Sequence, residues 1–403
     1  MAVQREFCVM QAVINIPGSH KIYPSRSVSQ SNSNNSSSPS IPPSLSHSIN
    51  PFLSVMAGIF YKSPASPAHS DYSSSSEYSA SNPLSKDQAA SLIAAYGASS
   101  AVDWLESRYS LWVGPSHTPE RPAVQGYVAV DGWCLSWGNP LALTDDLEQV
   151  AKDFLTWTER QRLQVLWCCV DGHLQWVLSN LEYSVVTCIK EDTIDPMTVK
   201  WSSNDLKQNI RKAEKAGVSI IERTGDFTSE ERAEINEGVE KWKKGRKGTQ
   251  VASDSLAPWV DERHRRYWIA QTADGQIVGF MVLARLKDGG YLIKNSIVFP
   301  EAPRGVSELL NATVIINLRS EGSNAVTFGV SASEELIPVS NVGSMSWLRK
   351  SYGVIVSSTG ITNRSTYRKK YNPREDKLFV CYPQNGLGWS GIQSLMKMLN
   401  SSK

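Results

Sequence analysis

The chain has 403 residues, a formal net charge of +2, 41% hydrophobic and 20% charged residues. That length favours two or three domains of ordinary soluble composition, and the near-zero charge excludes a basic footprint spread over the whole protein while leaving room for a local one. The six cysteines, at 8, 134, 168, 169, 188 and 381, contain no CxxC pair, and Cys168-Cys169 falls inside the apolar run LQVLWCCV. They are expected to be reduced core residues, which favours an intracellular compartment; histidine is too scattered for a metal site, and none is inferred.

From Ser25 to Ser85 the sequence is dominated by Ser, Asn and Pro (SVSQSNSNNSSSPSIPPSLSHS), and residues 1–84 are expected to form a disordered leader. A plain tail and a transit peptide are both compatible with it, and the few arginines favour the tail. The greasy patch NPFLSVMAGIFY is shorter than the roughly 20 residues a membrane-spanning helix needs.

A first α/β unit is expected over 85–200. LSKDQAASLIAAYG reads as a helix with Ser85 at its start and Gly97 at its end, followed by a short helix in SSAVDWLESR. QGYVAVDGWCLSW alternates about an Asp-Gly turn and predicts a hairpin, DDLEQVAKDFLTWTERQR a helix, and LQVLWCCV a buried strand; HLQWVLSNLEYSVVTCIK adds a helix and a strand.

A second unit of similar order is expected over 201–385. It begins with the helix WSSNDLKQNIRKAEKAG, the strand SIIERTG and the helix SEERAEINEGVEKWKKG. A hairpin at Asp274-Gly275 and a third strand after Gly289-Gly290 follow, then the helix VSELLNATVIINLRSEG, a short strand AVTFGVS, an irregular stretch, a helix around SMSWLRKSYG and the strand KLFVCY. Residues 386–403 form an amphipathic C-terminal helix, suited to lying on a membrane or to packing on the domain. The repeated order suggests a duplication without an alignable motif.

Helix pair, antiparallel hairpin, helix, strand, helix, strand is the order of the GNAT acyltransferase fold: mixed, mainly antiparallel sheets flanked by helices, here as two tandem units. The turn APRGVSELL carries Arg304 and Gly305 before a helix but lacks the second spaced glycine of a coenzyme A cradle. No cofactor is therefore expected.

Four stretches in order, LKQNIRKAEKAGVSIIE, APRGVSELL, GSNAVTFGVS and TYRKKYNP, resemble the C-terminal domain family of phosphatidylglycerol lysyltransferases. The resemblance implies tandem GNAT-like domains that take an aminoacyl group from aminoacyl-tRNA, as co-substrate, and place it on a lipid hydroxyl. Where the bacterial pattern has Asp-Leu-Met-Arg before the turn, this chain has Lys294-Asn295-Ser296-Ile297. It is similar to the free-standing fungal branch, the ergosteryl-3β-O-glycine synthases, which implies glycyl-tRNA as donor, the 3β-hydroxyl of a sterol (ergosterol) as acceptor, and a cytoplasmic protein peripheral to sterol-containing membranes. Aminoacylation of phosphatidylglycerol, and a dead tRNA- or lipid-binding module, are the alternatives.

Ester exchange needs a proton acceptor for the alcohol, a group that steadies the oxyanion and a dry slot. Glu308, one turn beyond Arg304, maps onto the family aspartate and is the candidate proton handler; an exposed acid paired with arginine is the bland alternative. Arg304 is a candidate phosphate ligand, Lys294 and Asn295 join the candidate catalytic group, and Gly305, Ser331, Tyr367 and Lys370 are candidate substrate-binding residues. Residues 349–377 hold eight Lys/Arg against two acids with Tyr352, Tyr367 and Tyr371 interleaved, a pattern suited to phosphate neutralisation and base stacking on a tRNA acceptor end. The candidate tRNA contacts are Lys207, Arg211 and Lys215 on one helix face, Lys243, Lys244, Arg246 and Lys247 in KWKKGRKG, and Arg364, Arg368 and Lys369; a solvated charged surface is the alternative for each.

Overall fold

The computed structural model describes residues 84–201, 203–245, 256, 258–343, 349, 352 and 367–400. The leader, Arg246, Lys247, Arg364 and most of the SMSWLRKSYG segment lie outside the described residues. Eleven strands join in one mixed sheet in the order β1-β2-β3-β4-β11-β5-β10-β9-β8-β7-β6.

Helix α1 (Lys86–Tyr96) starts as expected, with the Ser85 side chain accepting from the Gln88 amide while the Gln88 side chain accepts from Ser85. Residues Ser99–Leu105 form a 3-10 turn rather than an α-helix, held by the Trp104 indole N–H donating to the Trp137 carbonyl at 2.7 Å. Strand β1 (Ser110–Val113), which the pattern did not announce, pairs with the hairpin β2 (Val124–Val130) and β3 (Trp133–Trp137). Asp131 and Gly132 both take positive φ in its turn, as a two-residue hairpin loop requires. Helix α2 (Leu147–Arg160), β4 (Gln164–Val170), α3 (Gly172–Asn180) and β5 (Ser184–Ile194) complete this half.

The second half runs α4 (Asn204–Lys215), β6 (Ser219–Arg223), α5 (Ser229–Lys244), β7 (Arg265–Gln271), β8 (Ile277–Arg285), β9 (Tyr291–Val298), α6 (Val306–Ser320), β10 (Val326–Ser340) and β11 (Arg374–Tyr382). Strand β10 is far longer than AVTFGVS; bulges carry it through the stretch expected to be irregular. Along β7, Tyr267 and Ile269 pack with α5 residues, whereas Trp268 packs with α6 residues, so opposite faces of the sheet are covered by different helices.

The halves exchange their final strands. Strand β11 inserts between β4 and β5, antiparallel to both, and β5 pairs on its other side with β10. Helix α7 (Gly388–Asn400) packs on the first half: Gly391 meets the Trp133 ring, Ser394 is buried, and Lys397 pairs with Asp131 at 2.5 Å. The five described cysteines, 134, 168, 169, 188 and 381, are unpaired and buried, as expected, and burial pushes the Cys188 thiol up to about 12.

Candidate active site

Two parallel strand pairs differ in a way that locates a slot. β3 and β4 stay in register over five residues, Trp133↔Gln164 through Trp137↔Cys168. β9 and β10 pair only at Tyr291↔Val326 and Leu292↔Thr327 and then diverge. Immediately past the divergence β9 carries a bulge: Val282 faces Asn295 and Leu283 faces Ile293, leaving Lys294 as the extra residue. The bulge sends Lys294 to the face holding the Ser99–Leu105 turn, while Ile293 and Ser296 both face α6.

The two halves also start their helices differently. In α3 the Asp171 carboxylate accepts from the amides of His173 and Leu174, so a side chain already fills the anion position. In α6 the N-cap is Gly305 at φ +95°, with no side-chain cap. Amides at an uncapped helix start suit an anion. A Cβ on Gly305 would lie 1.9 Å from the Asn209 carbonyl oxygen, so what Gly305 accommodates is the backbone of α4 rather than a donor.

Behind that turn is a polar cluster. Glu308 is buried, and its Oε1 accepts from Asn209 Nδ2 at 3.0 Å and Lys370 Nζ at 3.2 Å. Its partner is therefore a lysine, not the arginine of the bland alternative. Lys370 also reaches Asp205 at 2.5 Å and lies 5.4 Å from the Tyr367 ring centroid. The hydrogen bond from Lys370 holds the Asp205 carboxyl below the usual range, helped by the charges of Lys370, Arg304 and Lys212. Burial pulls the Lys370 ammonium down, but Asp205 and Glu308 outweigh it and the net shift is upward. Arg304 is exposed at the mouth.

Tyr367 hydroxyl lies 2.5 Å from Ser307 Oγ and 2.9 Å from the Tyr371 hydroxyl, and Asn311 Nδ2 donates to the Ser307 carbonyl at 2.8 Å and contacts Ser296 Oγ at 3.4 Å. Burial raises the Tyr367 hydroxyl well above its ordinary value, keeping it neutral. Tyr352, Tyr367 and Tyr371 are all buried, which corrects the expectation that they stack on bases.

Other expected residues fall elsewhere. Lys294 is buried and pairs with Asp103 at 2.6 Å and Glu106 at 3.7 Å; Asn295 is buried in the bulge. Arg368, expected on a tRNA-facing surface, is 1% exposed; its guanidinium donates to Asp192 Oδ2 at 2.8 Å and to the Phe328 carbonyl at 2.9 Å. It is corrected to a core residue that ties the 367–371 turn to β5 and β10. Ser331 donates to the same Asp192 carboxylate at 3.3 Å. Lys207, Arg211, Lys215, Lys244 and Lys369 are exposed, while Lys243 is half-buried beside Glu240.

Sequence reasoning missed Asp205, Asn209, Asn311 and Asp103. Asn311 had a signal: it is a polar residue within the apolar run LLNATVII and is fully buried. Glu191, on β5 opposite Val330, was also missed; burial raises its carboxyl, and Ser99 and Thr327 hydrogen bonds only partly offset that. Among the described residues no group of three or more His, Cys, Asp or Glu is placed to hold a metal, and no helix is long and apolar enough to cross a membrane.

The family model for the C-terminal region of phosphatidylglycerol lysyltransferase matches residues 115–382. The structure of L-PGS from Bacillus licheniformis is similar, with a TM-score of 0.64 at 16% identity, covering 78% of this chain and 96% of that one. The C-terminal domain of a putative lysylphosphatidylglycerol synthetase from Agrobacterium fabrum has a TM-score of 0.62 at 12% identity, covering 78% and 98%. At such identities the likeness is one of fold. No curated protein matches the sequence.

Proposed function

Because the chain belongs to the phosphatidylglycerol lysyltransferase C-terminal family, we propose that it transfers an amino acid from aminoacyl-tRNA to a lipid hydroxyl at the slot between β9 and β10. The observation that carries this reading is the contrast between the halves: one parallel pair is closed and its helix start capped, the other pair opens after two residues beside an uncapped start. Exposed Arg304 and the Lys207, Arg211, Lys215 face of α4 supply phosphate contacts for the tRNA end.

The reaction is an ester exchange. The acceptor oxygen bonds to the aminoacyl carbonyl carbon, the bond from that carbon to the ribose oxygen breaks, and the alcohol proton ends on the ribose. Glu308, with Lys370 beside it, handles the proton.

Within this class the preferred pair is glycine and a sterol 3β-hydroxyl. Lys294 supports a donor without a cationic side chain, because its own ammonium already occupies the Asp103 and Glu106 carboxylates beside the slot. Phosphatidylglycerol is the alternative acceptor. On this reading the protein works peripherally at a sterol-containing membrane.

The test is a reconstituted reaction with charged tRNA and mixed lipids. Glycyl-sterol as product supports the preferred pair, aminoacyl-phosphatidylglycerol the alternative. Transfer that survives RNase, or proceeds from acetyl coenzyme A, overturns the tRNA reading.

A further inference from the structure

Two buried carboxamides beside Glu308 have fixed orientations and unsatisfied oxygens. Asn209 Nδ2 faces two carboxylates, Glu308 Oε1 at 3.0 Å and Asp205 Oδ1 at 3.4 Å, and Asn311 Nδ2 faces the Ser307 carbonyl at 2.8 Å. These partners accept only, so neither amide can be flipped without setting oxygen against oxygen. Both Oδ1 atoms are thereby committed, and neither has a hydrogen-bond partner. Asn209 is 4% exposed and Asn311 is 0% exposed. Among the described residues Glu308 Oε2 accepts no hydrogen bond either, both of its contacts being to Oε1. A buried acceptor without a donor costs as much as a lost hydrogen bond, so the two carboxamide oxygens, Asn209 on α4 and Asn311 on α6, call for a ligand that donates.

We infer that Asn209 Oδ1, Asn311 Oδ1 and Glu308 Oε2 form a subsite for a primary ammonium, the α-amino group of the aminoacyl donor. The inference rests on the reading of the β9–β10 slot as the aminoacyl site and deepens it. A protonated amine carries three donors and one positive charge, matching three acceptors of which one is anionic. The opposite face of the slot sorts charge the same way: the bulge places Lys294 there, and its ammonium repels a second cation. An α-aminoacyl group therefore enters with its amine toward α6 and its carbonyl at the bulge. Lys370 does not fill the subsite, since its ammonium is taken by Asp205 and by the other Glu308 oxygen.

The test uses the full chain and small probes, without transfer. Glycinamide has the ammonium and the carbonyl of a glycyl ester; glycolamide replaces the ammonium by a hydroxyl. Titrations followed by NMR are expected to show glycinamide binding at least tenfold more tightly than glycolamide. Asn311→Leu is expected to remove that preference while leaving the thermal midpoint within a few degrees, because it deletes an unsatisfied acceptor along with its amide. Equal binding of the two amides, or an undiminished preference in Asn311→Leu, overturns the subsite, the oxygens then being met by buried water. The outcomes separate cleanly from the transfer reading: active enzyme with equal amide binding removes only the subsite, and a glycinamide preference in a protein that transfers nothing removes only the reaction.

Discussion

Lys370 Nζ and Glu308 Oε1 stand 3.2 Å apart across 62 residues of sequence, joining the 367–371 turn to the first turn of α6. Glu308 is 3% exposed at its side chain and Lys370 20%, so the pair lies between the surface and interior regimes. Removing the cation leaves a nearly buried carboxylate. Lys370→Met is expected to cost about 3 kcal/mol, the lower end for breaking a buried pair, measured by urea unfolding. A cost below about 1 kcal/mol would place Glu308 in solvent.

Glu308→Gln keeps the shape and the Asn209 contact but removes the charge. Turnover is expected to fall at least tenfold with tRNA affinity nearly unchanged, as measured by single-turnover transfer and a separate binding assay. Turnover within twofold of wild type would move proton handling to another group.

The carboxyls on the two sides of the sheet respond to pH with opposite signs. The Asp205 value is lowered in the folded state, so its contribution is present above the unfolded value of about 4 and is lost as pH falls below it. The Glu191 value is raised by burial, so its contribution is fully present below the unfolded value of about 4.3 and is lost as pH rises. Glu191→Gln should therefore be more stable than wild type at pH 7 and lose that advantage near pH 4, whereas Asp205→Asn should be less stable at pH 7 and converge with wild type in acid. Chemical denaturation at the two pH values checks both signs.

Gly305→Ala places a methyl against the Asn209 carbonyl at a positive φ. Overlap and backbone strain together are expected to cost about 3 kcal/mol. Gly132→Ala, also at positive φ but with open space around it, should cost about 1 kcal/mol. Equal costs in unfolding experiments would mean that α4 does not press on the turn.

Arg304→Ala should weaken tRNA binding and lower the salt slope by about one unit. Arg368→Ala should instead destabilise the fold, because it removes the nearer of the two cations paired with the buried Asp192 carboxylate and leaves only Lys190 at 3.8 Å. Filter binding across a salt series, beside thermal melts, distinguishes the surface arginine from the core one.

Local chemistry made much of this fold legible. Ser85 with Gln88, Asp131-Gly132, Asp274-Gly275 and the glycines ending α1 and α4 announce caps and turns within a few residues, and periodicity supplies the elements between them. What stayed hidden depends on distant partners. Nothing near Arg368 in the sequence shows that Asp192 will meet it, since they lie 176 residues apart, and a basic run looks solvated until its neighbours are known. β10 outruns its apolar segment because β5 pairs with it across bulges, which periodicity does not register. The same holds for the site: Arg304, Glu308 and Lys370 share a motif order, but Asp205 and Asn209 enter only once α4 packs against Gly305.

The strand exchange constrains how the protein is made. β4 and β5 are synthesised well before β11, the strand that separates them in the sheet. Until it arrives, two hydrophobic strands wait with unpaired edges, and the pairing that closes them has a long loop to overcome. Nascent chains stopped short of Arg374 should therefore be the aggregation-prone species in a cell, and the slow step of refolding should be the capture of β11 rather than the formation of either half.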